Sequence, residues 1–188
     1  MVAAFLLAEI DSSRFGTSLR AAAGAEGLAI DAVRRPDTTD PTANAARRRV
    51  LDACRPPGRD LFAGFPSELH WAWMMLRPDE LASVRYIDWD YWVEVSAGSR
   101  LACDATVRLR HDPAVASIID RLYQREPIPP LILVGSLERD TLVVLEGHLR
   151  LTAMMAAYEV LPAEVLLLLG TSPVIDRWPL FGSATSAS

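Results

Sequence analysis

The sequence contains no lysine, because all 19 of its basic side chains are arginine. A Walker-type phosphate loop needs a lysine at its phosphate end, and an enzyme that works through a Schiff base needs a lysine amine. Both classes are therefore excluded by chemistry. Any phosphate site must use arginine and backbone amides, and the planar guanidinium suits this role because it can donate two hydrogen bonds to one phosphate.

Cysteine and histidine are also scarce. Cys54 and Cys103 are isolated from each other, and neither has a histidine at ligand spacing, so we expect buried structural thiols and no zinc knuckle. His70 and His111 are distant single residues. The sequence therefore shows no cluster of carboxylates and histidines that would support a metal-dependent nuclease.

Positive charge is outweighed by negative charge. The formal net charge of -5 argues against a surface devoted to nucleic acid, although Arg47, Arg48 and Arg49 form a local basic patch. The apolar run from Met1 to Ile10 is too short to span a bilayer and lacks the basic start of a signal peptide. We therefore expect a cytoplasmic protein without a membrane segment.

The pattern of residues 1–85 predicts a mostly helical N-terminal extension. We expect this extension to pack on a C-terminal module, so that the two share one hydrophobic core. Val2 to Ile10 predicts a short buried strand or helix, with strand favoured, because periodicity alone cannot assign so short an apolar run. Thr39-Asp40-Pro41 predicts the start of a helix that runs to Cys54. Aromatic residues crowd the segment from Phe62 to Trp92, which prolines divide into short predicted helices. These rings favour packing between elements, with base stacking or substrate enclosure as the alternatives.

The module, residues 86–176, predicts a small mixed sheet with helices, an α/β (α+β) fold. Asp112-Pro113 opens a helix that should end near Arg125, and Leu131 to Val134 and Thr141 to Leu145 predict two paired strands. A helix after Gly147 and a strand from Val165 to Leu169 complete it, followed by a flexible tail, residues 177–188.

The turn Glu146-Gly147-His148-Leu149-Arg150 joins the second strand to this helix. Free amides and the positive helix end would face an anion above the turn, Gly147 would let the backbone approach it, and Arg150 would neutralise its charge. His148 could donate to a phosphate oxygen or move a proton. The structural alternatives are an ordinary turn glycine, a capping histidine and a local ion pair between Glu146 and Arg150.

The segment from Pro130 to Ala153 resembles the core of the ParB/sulfiredoxin superfamily, and the order of elements from Asp112 to Leu169 matches it as well. Members carry a strand, a glycine-containing turn that grips nucleotide phosphates, and a helix. The turn is written Asp-Gly-His-x-Arg in free serine kinases and Gly-Glu-Arg-Arg in chromosome-partitioning proteins. The turn of this chain lacks the catalytic cysteine of sulfiredoxins, which disfavours sulfinic-acid reduction.

The resemblance implies that ATP or CTP with Mg²⁺ is seated on the turn. Gly147, His148, Arg150 and Thr152 would contact phosphate, while Glu146 and His148 would be catalytic groups. Glu146 would also hold the metal, although its extra methylene changes the reach of the carboxylate relative to the aspartate of the kinases.

A second acid is expected before the module if a small molecule is phosphorylated. Position and the density of polar groups among aromatics favour Glu94 as general base and Arg100 as a clamp on substrate or phosphate. A surface salt bridge between Glu94 and a nearby arginine is the alternative.

Two kinds of function follow. One is a nucleotide-dependent phosphotransferase or hydrolase acting on a small-molecule acceptor. The other is a non-catalytic nucleotide switch or DNA/protein-interaction module that uses Arg47 to Arg49 as its contact patch, with DNA the less favoured partner. Either function is compatible with a homodimer. A third alternative is a protein that keeps the fold of the superfamily but has lost nucleotide binding.

Overall fold

The computed structural model describes residues 1–12, 15–54 and 62–182. The chain forms two compact units, Met1–Asp60 and Leu61–Ser188. Nine α-helices and five strands in the described residues give the mixed α/β fold that the sequence predicts. Each unit has its own hydrophobic core, which differs from the single shared core predicted from the sequence.

In its described residues, the first unit contains α-helices joined by turns and loops, and no strand. The expected strand from Val2 to Ile10 is wrong, because this run is rich in alanine and leucine, which favour helix, and poor in β-branched residues. The helix at Asp40-Pro41 is confirmed, with Asp40 Oδ1 accepting from the N–H groups of Thr42 (2.8 Å) and Ala43 (3.0 Å). The helices are α1 (Val2–Glu9), α2 (Gly16–Ala25), α3 (Ile30–Arg34) and α4 (Pro41–Ala53).

The second unit contains a five-stranded sheet in the order β1-β5-β3-β4-β2. β3 pairs antiparallel with β4 and parallel with β5, while β1 is antiparallel to β5 and β2 parallel to β4. The strands are β1 (His70–Leu76), β2 (Arg85–Tyr86), β3 (Leu131–Gly135), β4 (Leu142–Glu146) and β5 (Val165–Thr171). The helices are α5 (Pro78–Leu81), α6 (Asp90–Val95), α7 (Ala102–Leu109), α8 (Pro113–Tyr123) and α9 (His148–Ala156).

The aromatic segment differs from its prediction. It was expected to hold only short helices, but β1 and β2 lie in it and pair with distant strands. The apolar run from Trp71 to Leu76 is stabilised as a strand by β5, a contact across the chain that local pattern does not reveal. The sheet therefore begins well before residue 85, where the sequence analysis ended the N-terminal extension.

The predictions for the C-terminal half are largely confirmed. Asp112 caps α8 through hydrogen bonds from the amides of Ala114 (2.9 Å) and Val115 (3.3 Å). The two expected strands form the antiparallel β3–β4 pair, and the expected later strand forms β5. The helix after Gly147 is α9.

Other elements pack against both faces of the sheet, although Trp73, Met75 and Leu166 of β1 and β5 stay exposed. On one face α7, α8 and α9 enclose a core that contains Leu131, Leu133 and Val144. On the other face, the segment after β5 packs Trp178 and Phe181 against the sheet. Trp178 is only 1% exposed, so the expected flexible tail is wrong for residues 177–182; residues 183–188 lie outside the described part of the chain.

The thiols also differ from expectation. Cys103 is exposed on α7 and Cys54 is half-buried at the end of α4, so only Cys54 approaches the expected buried state. Burial raises the pKa of the Cys54 thiol. Among the described helices, none combines the length and the apolar character needed to cross a bilayer.

Candidate phosphate-binding turn

The turn between β4 and α9 requires glycine. Gly147 is the N-cap of α9 with φ of +99°, in the left-handed region. A Cβ atom there would lie 2.7 Å from Leu131 Cδ2 and 2.9 Å from Arg150 Nε. Any side chain would therefore meet both backbone strain and neighbouring atoms.

The charged groups of the turn contact one another. Glu146 Oε1 accepts a hydrogen bond from the Gly147 amide at 3.0 Å and lies 3.6 Å from Arg150 Nη2. Arg150 is buried, with 8% of the residue exposed. The structure therefore brings together Glu146, Gly147 and Arg150, and the ion pair expected as the local alternative is present.

The first turn of α9 presents amides toward the end of β4. The first N–H groups of any helix lack partners within the helix, and Gly147 has no side chain that could cap them. The Leu151 amide is the first with an intrahelical bond, at 2.8 Å from the Gly147 carbonyl. With Arg150 beside them, these amides suit an oxyanion more than a cation.

His148 lies in a cluster of three rings. Its imidazole stacks on Trp92, with centroids 4.6 Å apart and ring planes 16° apart, and lies 5.8 Å from the Tyr86 ring. His148 Nε2 is closed off from solvent and has no hydrogen-bond partner among the described residues. Burial, with a further contribution from the charge of Arg150, lowers the pKa of His148 from 6.5 to about 3. The imidazole is therefore neutral near pH 7, which favours a packing role over the predicted catalytic one.

Thr152 points into the core. Its hydroxyl donates to the His148 carbonyl at 2.9 Å and lies 2.6 Å from the Tyr86 hydroxyl. Tyr86 is fully buried, and burial raises the pKa of its phenol. Thr152 thus links β2 to the first turn of α9, and this geometry gives no support to its predicted contact with phosphate.

The guanidinium of Arg100 donates hydrogen bonds to main-chain carbonyl groups. Its Nε and Nη2 donate to the Tyr86 carbonyl at 2.9 and 2.7 Å, and Nη2 also donates to the Phe181 carbonyl at 2.6 Å. The residue is 6% exposed, and burial lowers the pKa of its guanidinium. Arg100 therefore joins β2 to the C-terminal segment, and the clamp on phosphate stays a prediction without support from these contacts.

Glu94 lies on the surface of α6. Its side chain is 79% exposed and lies 4.0 Å from Arg108 Nη1, which is the surface pair that the sequence analysis named as the alternative. Arg108 also donates to the Glu94 carbonyl at 2.9 Å. No contact within the described residues joins Glu94 to the turn, so its role as general base stays a prediction.

Arg47, Arg48 and Arg49, for which a solvated helix face was favoured over a contact patch, do not share one surface. Arg47 is 1% exposed and donates to the carbonyls of Asp37 (2.9 Å) and Ala32 (3.1 Å). Arg49 pairs with Glu26 at 2.5 Å, and Arg48 is exposed. The interpretation of Arg47 as a DNA contact is therefore wrong, because its guanidinium is enclosed within the helical unit.

An open cleft of about 600 Å³ lies elsewhere in the second unit. It is near the ends of β3 and β5, whereas the turn is at the opposite end of the sheet, where β3 begins. Its lining is Ser67, Glu68, Leu69, His70, Trp71, Leu137, Thr171 and Pro173. These groups do not combine an arginine with the N-terminal amides of a helix, whereas the turn does.

The fit of Mg²⁺ can be judged from the side chains. Across residues 1–12, 15–54 and 62–182, no group of three His, Cys, Asp or Glu residues is placed to hold a metal ion. Glu146 is the only carboxylate of the turn, and it contacts Gly147 and Arg150. The described residues therefore do not fit a protein-held magnesium site, whereas the amides and Arg150 fit phosphate.

From the sequence, Tyr86, Tyr91 and Trp92 were expected mainly to pack between elements, with base stacking or substrate enclosure as the alternatives. Tyr86 contacts His148 because β2 pairs with β4, and Trp92 reaches the same ring from α6. The sequence signal that could have identified them is the concentration of aromatic residues before the module, which was interpreted mainly as packing.

Comparison of the chain with protein-family models, curated proteins and solved structures gives no significant match.

Proposed function

We propose that the chain binds the phosphate groups of a nucleotide on the turn Glu146 to Arg150. The observation that carries the proposal is Gly147, an N-cap with φ of +99° and no side chain, directly between β4 and α9. It leaves the first amides of α9 without a capping side chain beside a buried arginine. Backbone amides, a positive helix end and a guanidinium together favour a phosphate.

The resemblance to ParB/sulfiredoxin turns supports the same proposal and narrows the phosphate to that of ATP or CTP. The arrangement of strand, glycine turn and helix agrees with that resemblance in the order of its elements. A nucleotide would enter with its phosphates toward the amides of His148 and Leu149. Arg150 would exchange part of its contact with Glu146 for a contact with phosphate, since the present separation of 3.6 Å is a loose pair.

Binding without turnover is favoured over phosphoryl transfer by the positions of the carboxylates. Glu146 is engaged with the turn itself, and Glu94 is exposed beside Arg108. A general base must reach the hydroxyl that it deprotonates, whereas Glu146 accepts from the Gly147 amide and lies beside Arg150, and Glu94 is exposed beside Arg108. We therefore propose a nucleotide-binding switch as the main function, with a phosphotransferase or hydrolase as the second candidate.

Replacing Arg150 with glutamine is expected to weaken nucleotide binding by at least about tenfold, because a charge-assisted contact to phosphate contributes roughly 1.5–3 kcal/mol. Calorimetric titration of ATP, CTP, GTP and ADP, with and without Mg²⁺, measures this effect. Arg121→Gln is the matched control, since Arg121 also pairs with a carboxylate, Glu126, at 3.1 Å.

The fold of each variant is checked by urea unfolding, so that a loss of affinity is not confused with a loss of structure. Failure of the folded native chain to bind any of the four nucleotides contradicts the proposed function. Equal affinity in the native chain and Arg150→Gln contradicts the placement of phosphate at the turn. Release of phosphate or transfer of label from ATP in the same samples would favour the enzyme over the switch.

A further inference from the structure

Tyr91 is an exposed ring at the edge of a buried aromatic cluster. It lies on α6, is 47% exposed, and meets Trp92 edge-to-face with centroids 4.9 Å apart and ring planes 76° apart. Its hydroxyl has no hydrogen bond to any residue in the described part of the chain. One part of the ring is therefore fixed by Trp92 while another part is open to solvent.

The aromatic cluster connects this open ring to the phosphate-binding turn. Trp92 stacks on His148 at 4.6 Å, and His148 is the first residue of α9. Tyr86 closes the other side of the cluster, 4.7 Å from Trp92. Trp92 therefore contacts both the Tyr91 ring and the His148 ring, an arrangement that suits a ligand with an anionic end and an apolar planar end.

Two other tyrosines are similarly exposed but lack this connection. Tyr123, 54% exposed, donates its hydroxyl to Glu159 and so joins α8 to the short helix after α9. Tyr158, 46% exposed, follows the C-terminal end of α9, away from the turn. Tyr91 is distinguished from both by its ring contacts, which lead to the start of α9.

We infer that Tyr91 is the base-stacking surface of the nucleotide site, an assignment that rests on the proposed function. A nucleobase would lie against the open part of the Tyr91 ring while the phosphates contact the turn. Stacking on one ring grows with the overlapping area and reads no hydrogen-bonding edge of the base. The ligand class is therefore a purine nucleotide in preference to a pyrimidine nucleotide.

Comparison of ATP with inorganic tripolyphosphate separates the base from the phosphates. In calorimetric titrations of the full chain, Tyr91→Ala is expected to weaken ATP binding about tenfold, because stacking of one base contributes on the order of 1–3 kcal/mol. Tripolyphosphate affinity should be unchanged by this substitution. Tyr91→Phe should keep ATP affinity, and Tyr158→Ala is the control for removing an exposed tyrosine.

The outcomes separate this inference from the proposed function. ATP affinity that is unchanged in Tyr91→Ala, or tripolyphosphate affinity that falls equally, overturns the stacking role and leaves phosphate binding intact. CTP binding as tight as that of ATP overturns the purine preference. If the folded native chain binds neither ATP nor tripolyphosphate, the proposed function fails and the stacking role fails with it.

Discussion

Replacing His148 with phenylalanine is expected to remove much of the loss of stability that the second unit undergoes between pH 6.5 and pH 3. Phenylalanine keeps a ring against Trp92 and Tyr86 but cannot take up a proton. Burial lowers the pKa of His148 to about 3 in the folded chain, whereas an unfolded histidine titrates near 6.5. The unfolded state therefore binds the proton first as the pH falls.

The sign follows from this difference. The stabilising contribution of neutral His148 is fully present above pH 6.5 and is lost as the pH falls toward about 3. Its upper bound is about 5 kcal/mol at 1.36 kcal/mol for each pKa unit, and the half-buried position of the residue as a whole lowers the expected value below that bound. This is large against the total stability of an ordinary domain, which is about 5–15 kcal/mol.

Urea unfolding between pH 7 and pH 4 measures the effect. Tryptophan fluorescence follows the second unit alone, because all five tryptophans lie in it. His70→Gln is the control, since His70 is exposed at the start of β1. A pH dependence that persists unchanged in His148→Phe would show that other groups cause it and that the neutral, packed His148 is incorrectly assigned.

Replacing Gly147 with alanine is expected to lower the free energy of unfolding of the second unit by about 3 kcal/mol. The left-handed conformation costs a non-glycine residue roughly 1–2 kcal/mol, and crowding of a tightly packed site adds about 1–3 kcal/mol. Both costs apply, because φ is +99° and the new Cβ atom would lie 2.7 Å from Leu131 Cδ2.

Gly98 provides a matched control. Its φ is +91°, but a Cβ atom there would meet nothing within 4 Å, so Gly98→Ala should cost only the conformational term of about 1 kcal/mol. Urea unfolding of the two variants separates strain from crowding. Equal losses in the two variants would mean that the turn has room for a side chain, and that glycine is not required there for close packing.

Much of the C-terminal fold could be predicted because its signals are local. Asp112-Pro113 carries a capping side chain and a proline suited to the first helical position, and the structure uses both. Leu131 to Val134 is a continuous apolar run after prolines, which leaves little alternative to a buried strand. These features act within a few residues, so the sequence displays them directly.

Other elements depend on contacts that the sequence does not display. β1 is a strand because β5 pairs with it along its length, and the helix α1 fills a core made by α2, α3 and α4. A short apolar run without alternation fits either state, and the tertiary partner decides between them. The same explanation applies to Trp178, which is buried because it packs against Val134 and Val143 of the sheet.

The candidate site was predictable in part for the same reason. Glu146, Gly147 and Arg150 adjoin one another along the chain, so their meeting at the turn follows from a strand that leads into a helix. The enclosure of His148 depends on Tyr86 from β2 and Trp92 from α6, which no local spacing indicates. Arg100 was expected at a ligand, but its long side chain reaches the C-terminal segment instead.

The most direct test of phosphate binding at the turn is an amide NMR spectrum of the ¹⁵N-labelled full chain during titration with ATP and with tripolyphosphate. The account predicts that both ligands shift the amide signals of His148, Leu149 and Arg150, because the phosphates contact the first turn of α9. Signals that do not move, or shifts confined to the open cleft around Ser67 to Trp71, would contradict it.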